Sequence, residues 1–182
     1  SHATKTRQYQ VRKDGSCFHI MTYDSATGKP LKGVTSQGYA DNSAWARGLG
    51  WGIYGFTMVY RETGDIRFLK TAQRMADFYL NSQWLPSDKV PYWDFNANQV
   101  GYKPGKRSSA SKVPVMYRDA SAAAVTASAL FELNTYCKGE KAKKYLEAAK
   151  QIVHSLSSPA YRAKEGTNAN FILMHSVGSI PH

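Results

Sequence analysis

The chain has 182 residues, of which 42% are hydrophobic and 13% aromatic, and its formal net charge is +11. This composition excludes a disordered chain, and the length suits one domain with one core. No apolar run reaches the roughly 20 residues that span a bilayer, and the first residues lack the apolar segment of a signal peptide.

The charge and the cysteines limit the kinds of partner. A net charge of +11 favours an anionic partner, although a basic solvated surface would give the same value. Cys17 and Cys137 are too few for a disulfide framework or a thiolate metal site, so free structural thiols are expected. The histidines lack the spacing of a zinc motif, so no metal site is predicted.

The first predicted elements are short strands. The sequence CFHIMTYD (17–24) is rich in β-branched and aromatic residues, and turn residues follow it in TGKP (27–30). This pattern predicts a strand that pairs with the segment after the turn.

A long helix is predicted next, with Asp41 or Ser43 as its N-cap and Gly64 just after its end. Its apolar residues are nearly continuous over 51–60, so burial on most sides is expected. Its glycines cost helix propensity, which fits a close approach of another backbone or a ligand. These glycines are Gly48, Gly50, Gly52 and Gly55.

A second helix is predicted over 66–83, followed by a long irregular stretch from 84 to about 118. So long a loop inside a compact domain is usually functional. The helix has one apolar face at helical spacing, formed by Phe68, Leu69, Ala72, Met75, Ala76 and Tyr79.

Two more helices follow the irregular stretch. The first is capped by Asp119, has almost only small residues in its early part, and is predicted to end at Gly139. The second covers 140–156, and the tail from 157 onward has no clear helix of its own. The apolar face of the second comprises Tyr145, Leu146, Ala149, Ile152, Val153 and Leu156.

These four helices form two similar hairpins, each with a buried small-residue helix, a turn and an amphipathic helix. Repeated hairpins of this kind predict an all-α fold, an (α/α) toroid with the buried helices inside. Because two hairpins cannot close such a ring, the chain is predicted to be an incomplete toroid.

The stretch SQGYADNSAWARGLGW (36–51) concentrates the candidate chemistry. Indole faces bind sugar rings, a guanidinium binds carboxylates, and the free N–H groups of a helix's first turn favour an anion. Trp45, Arg47 and Trp51 together predict a pocket for an acidic sugar. The alternatives are core roles for the two tryptophans and an ion pair between Arg47 and Asp41.

Several motifs resemble those of the unsaturated glucuronyl hydrolases, glycoside hydrolase family 88. They are HATKT (2–6), DGSCFH (14–19), QGYADNSAWARGLGWGIYGFTMVYRETGD (37–65), VPYWDFNA (90–97) and RDASAAAVTASALFEL (118–133). The resemblance covers nearly the whole chain in the right order. It implies an (α/α)6 barrel, with residues 1–182 as the C-terminal part of a single catalytic domain.

The resemblance also implies a reaction. Family members release a 4,5-unsaturated uronic acid from the non-reducing end of oligosaccharides made by polysaccharide lyases. An Asp protonates the double bond and activates water, so the vinyl ether is hydrated without a metal or organic cofactor. The expected partner is an acidic unsaturated oligosaccharide, with no nucleic acid and no membrane, in the periplasm or cytoplasm of a bacterium.

Residue by residue, the resemblance assigns substrate binding to His19, Gln37, Trp45, Arg47, Trp51, Ser176 and Ser179. The family's catalytic aspartates precede the HATKT segment, and Asp41, Asp94 and Asp119 match other family positions. We therefore expect no catalytic residue in this chain and no activity from the 182 residues alone. Pro181 stands near the place of a basic residue found in relatives that favour sulfated substrates, which weakens a sulfate preference.

The sequence also allows two alternative functions. The sequence of residues 47–51, RGLGW, resembles a motif of the unsaturated rhamnogalacturonyl hydrolases. Such an enzyme would have the same fold and chemistry but would act on pectin fragments. A basic, aromatic chain could also be a non-catalytic module that binds polyanions or carbohydrate.

Overall fold

The computed structural model describes residues 1–113 and 115–180, so Pro181 and the prediction about sulfate lie outside the described residues. The helices are α1 (His2–Lys5), α2 (Ala46–Thr63), α3 (Ile66–Asn81), α4 (Ala120–Leu133) and α5 (Gly139–Ser157). The strands are β1 (Ile20–Tyr23) and β2 (Pro30–Val34). A wider helical turn, Thr6–Gln10, continues α1, and the sequence patterns did not predict this N-terminal helical segment.

The predicted hairpins are confirmed. Helices α2 and α3 form one hairpin and α4 and α5 the other, and α2 packs against α4. The predicted apolar face of α3 is buried throughout. The architecture is therefore that of an incomplete α/α toroid, with α2 and α4 as its inner helices and α3 and α5 as its outer ones.

The two inner helices approach closely because small residues line their interface. A Cβ added at Gly50 would lie 2.8 Å from Thr126 Oγ1 and 3.2 Å from the carbonyl oxygen of Ala122. Both Thr126 and Ala122 are buried. Gly50 therefore has the role expected of it, but Gly55 does not, because a Cβ there meets nothing within 4 Å.

Polar contacts join the two outer helices. The hydroxyl of Tyr145 lies 2.9 Å from Asp77 Oδ1 and 3.1 Å from the carbonyl oxygen of Gln73. Lys141 Nζ donates to Asp77 Oδ2 at 2.7 Å. The aromatic ring of Tyr145 is buried, so its hydroxyl depends on α3 for hydrogen bonding.

The predicted N-cap of α2 is wrong. The helix begins at Ala46, and neither Asp41 nor Ser43 caps it. Backbone pairing with a loop takes the place of a side-chain cap: Ala46 N–H donates to the carbonyl of Trp93 at 3.0 Å. Asp119, in contrast, caps α4 as predicted and accepts from the N–H of Ala122.

Two further predictions about the helices need correction. α2 is not buried on most sides, because Trp51 is 51% exposed and Met58 36% exposed. On α5, Val153 lies at the solvent edge of the predicted face and is exposed. Gly139 begins α5 rather than ending α4, which stops at Leu133 and continues as a short 3-10 turn.

The predicted β-hairpin is confirmed, with β1 antiparallel to β2. Cys17 is buried and Cys137 partly buried, and both thiols are free, as expected. Among the described residues, no helix combines the length and apolar character that crossing a bilayer requires.

Replacing Gly50 by alanine should lower the free energy of unfolding by about 1–3 kcal/mol, because the new methyl group overpacks the interface of α2 and α4. The matched control is Gly55→Ala in the same helix, which should raise it by about 0.5–1 kcal/mol through helix propensity alone. Urea unfolding measures both. Equal effects of the two variants would contradict the close approach at Gly50.

Candidate functional site

The loop before α2 is held by one buried carboxylate. Asp94 is fully buried, and its Oδ2 accepts from the N–H of Tyr39 at 2.8 Å and from Ser43 Oγ at 2.7 Å. Its Oδ1 accepts from the N–H of Asn96 at 2.8 Å. Burial raises the pKa of Asp94, and these hydrogen bonds oppose the shift. The carboxylate therefore fixes the path of the loop.

Gly38 allows this loop to fold tightly. A Cβ at Gly38 would lie 2.6 Å from Thr35 Oγ1 and 3.1 Å from both Asp94 Oδ2 and the Cβ of Trp45. Only a residue without a side chain fits between Thr35, the carboxylate of Asp94 and the Cβ of Trp45. The glycine in QGY thus brings the loop against the start of α2.

The same loop fixes the imidazole of His19. The N–H groups of Ser36 and Gln37 donate to His19 Nδ1 at 3.1 and 3.2 Å. An acceptor Nδ1 carries no proton, so the neutral ring carries its proton on Nε2. The ring packs 4.3 Å from the indole of Trp45. Burial, then the charge of Arg47, lowers the pKa of His19.

Three of the predicted residues line one cavity of about 330 Å³ at the N-terminal end of α2. His19 and the buried Trp45 form one part of its wall, and the half-exposed Trp51 forms another. Among the described residues, no carboxylate lines this cavity. The cavity can therefore bind a ring through aromatic and imidazole groups, but the described residues place no acid beside it.

Arg47 lies beside the cavity and joins three segments of the chain. Its guanidinium donates to Asp119 Oδ2 at 3.3 Å, to Gln37 Oε1 at 3.3 Å and to the carbonyl of Gly178 at 2.8 Å. It also donates to the carbonyl of Val177. The alternative ion pair between Arg47 and Asp41 is not formed. Arg47 instead connects α2 with the start of α4 and with the C-terminal segment.

The predicted serine pair, Ser176 and Ser179, flanks Val177 and Gly178 in the sequence, and the carbonyls of those two residues accept from Arg47. Ser176 is exposed. The hydroxyl of Ser179 is buried and has no hydrogen-bond partner among the described residues. Backbone contacts continue this attachment, since the N–H of Ala120 donates to the carbonyl of His175 at 3.0 Å.

Sequence reasoning missed the residues that position this site. The role of Asp94 was not predicted, although an Asp-x-Asn pair in a loop is typical of turns in which side chains bind backbone N–H groups. Arg12 was also missed: it donates to the carbonyl of Ser43 at 3.0 Å and lies 4.0 Å above the ring of Phe18. No local pattern marks such a distant contact. In the described chain, no three potential ligands are close enough to bind one metal ion.

Replacing Arg47 by methionine should lower the free energy of unfolding by about 3 kcal/mol, because it leaves the buried carboxylate of Asp119 without its cation. The control is Arg61→Met on the same helix. Arg61 is about half exposed and pairs with Glu132, so its loss should cost less than about 1 kcal/mol. Denaturant unfolding compares them, and equal losses would show that the Arg47 pair is no stronger than a surface pair.

The free energy of unfolding should fall as the pH decreases below about 6.5, the pKa of an unperturbed histidine. The folded protein holds the pKa of His19 lower, so the unfolded chain takes up the proton first and acid favours unfolding. The variant His19→Asn keeps an acceptor for the two N–H groups but does not titrate. Its unfolding free energy should depend less on pH between 5 and 6.5, and identical slopes would contradict the assignment.

Comparison with known proteins places this site in a family. The chain is 43% identical over 180 residues to the unsaturated glucuronyl hydrolase of Formosa agariphila, which covers 99% of this chain and 41% of that protein. It is 36% identical to the enzyme of the same name from a Bacillus species, covering 94% of this chain and 42% of that one. The chain spans about two fifths of the length of these curated relatives. No family model matches it.

Solved structures agree in fold. An unsaturated glucuronyl hydrolase described as specific for heparin has a TM-score of 0.85 at 43% identity, covering 98% of this chain and 44% of that chain. The enzyme from Bacillus sp. GL1 has a TM-score of 0.83 at 33% identity, covering 98% and 45%. With nearly the whole chain matched in both sequence and structure, this chain belongs to the unsaturated glucuronyl hydrolase family.

Proposed function

We propose that this protein is a glycoside hydrolase that removes the 4,5-unsaturated uronic acid at the non-reducing end of lyase-generated oligosaccharides by adding water across its double bond. The hemiketal that forms rearranges and releases the next sugar. The observation that carries the proposal is the cavity formed by His19, Trp45 and Trp51, with Arg47 and Gln37 beside it, in a chain of this family. One related structure is described as a complex with the disaccharide dGlcA-GalNAc6S, which contains an unsaturated uronate.

The cavity suits a sugar ring with polar substituents. The half-exposed indole of Trp51 offers an apolar face for the ring. The Nε2–H of His19 is free to donate to a hydroxyl or carboxylate, because Nδ1 is already held by the backbone. In this proposal His19, Trp45 and Trp51 bind substrate directly, and Gln37 contributes through its amide.

Arg47 has a different role in the proposal. Its charge is matched by the buried Asp119, and its remaining donors reach Gln37 and backbone carbonyls. It also lies 4.9 Å from the ring of Trp45. We therefore assign it as a positioning residue that holds the indole and the segment with Ser176 and Ser179, the pair proposed to contact the next sugar.

The acid that protonates the double bond is proposed to come from residues other than the aspartates of this chain. Asp94 and Asp119 are buried and engaged by backbone groups. Asp41 accepts from the N–H of Thr35 and lines a separate pocket. Among the described residues, neither the cavity wall nor its immediate partners offer a carboxylate that is free for proton transfer.

We further propose that residues 1–182 form the C-terminal part of a single α/α-barrel catalytic domain. The inner helices support this, because they expose apolar side chains that a closed ring would cover. Trp51 and Met58 on α2 and Phe131 on α4 are 36–51% exposed. Neighbouring hairpins of a complete barrel would cover Met58 and Phe131 and bring the catalytic acid to the cavity that Trp51 lines.

The test is hydration of the vinyl ether by the full-length protein. Incubation with an unsaturated disaccharide from lyase-digested glycosaminoglycan should abolish the ultraviolet absorbance of the double bond. The 182-residue chain alone should cause no such loss. Faster turnover of pectin-derived disaccharides would replace the proposal with a rhamnogalacturonyl hydrolase, and no turnover of either substrate would leave a binding module.

Within that assay, Trp51→Ala should lower kcat/KM by about tenfold or more, which corresponds to about 1.4 kcal/mol of lost stacking. The control is Phe171→Ala, which removes another exposed aromatic side chain outside the cavity and should leave kcat/KM unchanged. Equal kcat/KM values for the two variants would remove Trp51 from the substrate site.

A further inference from the structure

A second candidate site lies outside the cavity, where two surface grooves meet at Trp84. One groove, of about 580 Å³, lies between α3 and the beginning of α5. The other, of about 610 Å³, lies against the irregular segment 97–100. Gln83 and Trp84 line both grooves, and neither groove shares a residue with the cavity of His19.

The groove along segment 97–100 has the side chains that sugars contact. Trp84 is 49% exposed, and Tyr92 is partly exposed with the guanidinium of Arg118 lying 5.0 Å from its ring. The amides of Asn98 and Gln99 lie in the same groove. Exposed aromatic faces beside amide side chains suit the apolar faces and hydroxyls of pyranose rings.

The groove along α3 adds positive charge. Lys70, Arg74 and Lys141 line it together with the carboxylates of Asp14 and Asp77. Lys141 is paired with Asp77 at 2.7 Å. The carboxylate of Asp14 accepts from Ser16, both from its hydroxyl and from its backbone N–H.

Two cations in this groove remain available for a ligand. Within residues 1–113 and 115–180, the side chains of Lys70, Arg74 and Gln83 make neither a hydrogen bond nor an ion pair. Both Lys70 and Arg74 lie on the exposed face of α3, one turn apart. An anion that binds in the groove could therefore pair with Lys70 and Arg74 without breaking an existing ion pair.

We propose that the paired grooves at Trp84 form a second glycan-binding site that holds an anionic oligosaccharide. One sugar ring stacks on Trp84, its hydroxyls meet the amides of Gln83 and Asn98, and a carboxylate or sulfate further along the chain meets Lys70 and Arg74. This goes beyond the proposed hydrolysis, because it needs no unsaturated end and would hold a polysaccharide chain on the outside of the toroid.

The probe is chondroitin sulfate with saturated non-reducing ends, so that it lacks the group recognised in the proposed hydrolytic site. Its binding to the full-length protein is measured by affinity electrophoresis at two salt concentrations. Trp84→Ala should weaken binding by about tenfold, whereas Trp84→Tyr keeps an aromatic face and should weaken it by less than about threefold. Circular dichroism checks that both variants are folded.

The charge control separates this site from general attraction to a basic surface. The double variant Lys70→Ala/Arg74→Ala should weaken binding more than Lys29→Ala/Lys32→Ala, which removes the same charge at the β-hairpin. Trp51→Ala should bind the polymer as tightly as the unaltered protein. Equal losses in the two double variants, or no loss in Trp84→Ala, would overturn the proposal.

Single-stranded DNA is the competing polyanion in the same assay. Stronger binding of DNA than of chondroitin sulfate, lost to the same extent in Trp84→Ala, would also overturn the glycan assignment. The result for this site is independent of hydrolysis, because the saturated probe can bind whether or not unsaturated disaccharides are turned over.

Discussion

The carboxylate of Asp94 is the interaction on which the candidate site depends. It is buried, and no cation among the described residues is in hydrogen-bond contact with it. It is stabilised by the N–H groups of Tyr39 and Asn96 and by the hydroxyl of Ser43. A buried carboxylate left without such donors would be costly, so the loop must fold around it in one way. That single path places Gly38 beside Trp45 and brings the backbone of residues 36–37 to the ring of His19. Asp94, which does not line the cavity, thus sets the conformation of the loop that forms part of the site.

Arg47 connects the loop before α2 with the C-terminal segment of the chain. Its ion pair with Asp119 lies where α4 begins, and Asp119 is also the N-cap of that helix. One buried carboxylate therefore serves both a helix end and a guanidinium, which in turn holds the carbonyls of Val177 and Gly178. The packing of the two inner helices, the C-terminal segment and the indole of Trp45 are coupled through one side chain. A substitution at any of these positions should therefore alter the packing at the others.

Sequence patterns predicted the parts of the fold that depend on local periodicity. The buried face of α3, the small-residue surface of α4 and the cap at Asp119 follow from residue spacing alone. The start of α2 did not, because a loop more than 40 residues later supplies the backbone pairing that replaces a side-chain cap. The sequence did not predict the exposure of Trp51 for a related reason. An apolar side chain indicates a surface that can pack, but it does not show which segment of the chain, if any, packs against it. At the site, the resemblance predicted which residues are involved, but only the structure shows that Arg47 pairs with Asp119.

The way the backbone holds His19 limits what that residue can do. Two N–H groups converge on Nδ1, so this nitrogen is committed to accepting from the main chain. The other nitrogen then carries the proton in the neutral ring and has no lone pair to offer. A ring held in this way can donate to a substrate or to water, but it cannot withdraw a proton from either. In the proposed reaction, the group that removes a proton from the attacking water must therefore be a different side chain, and His19 would act as a fixed donor.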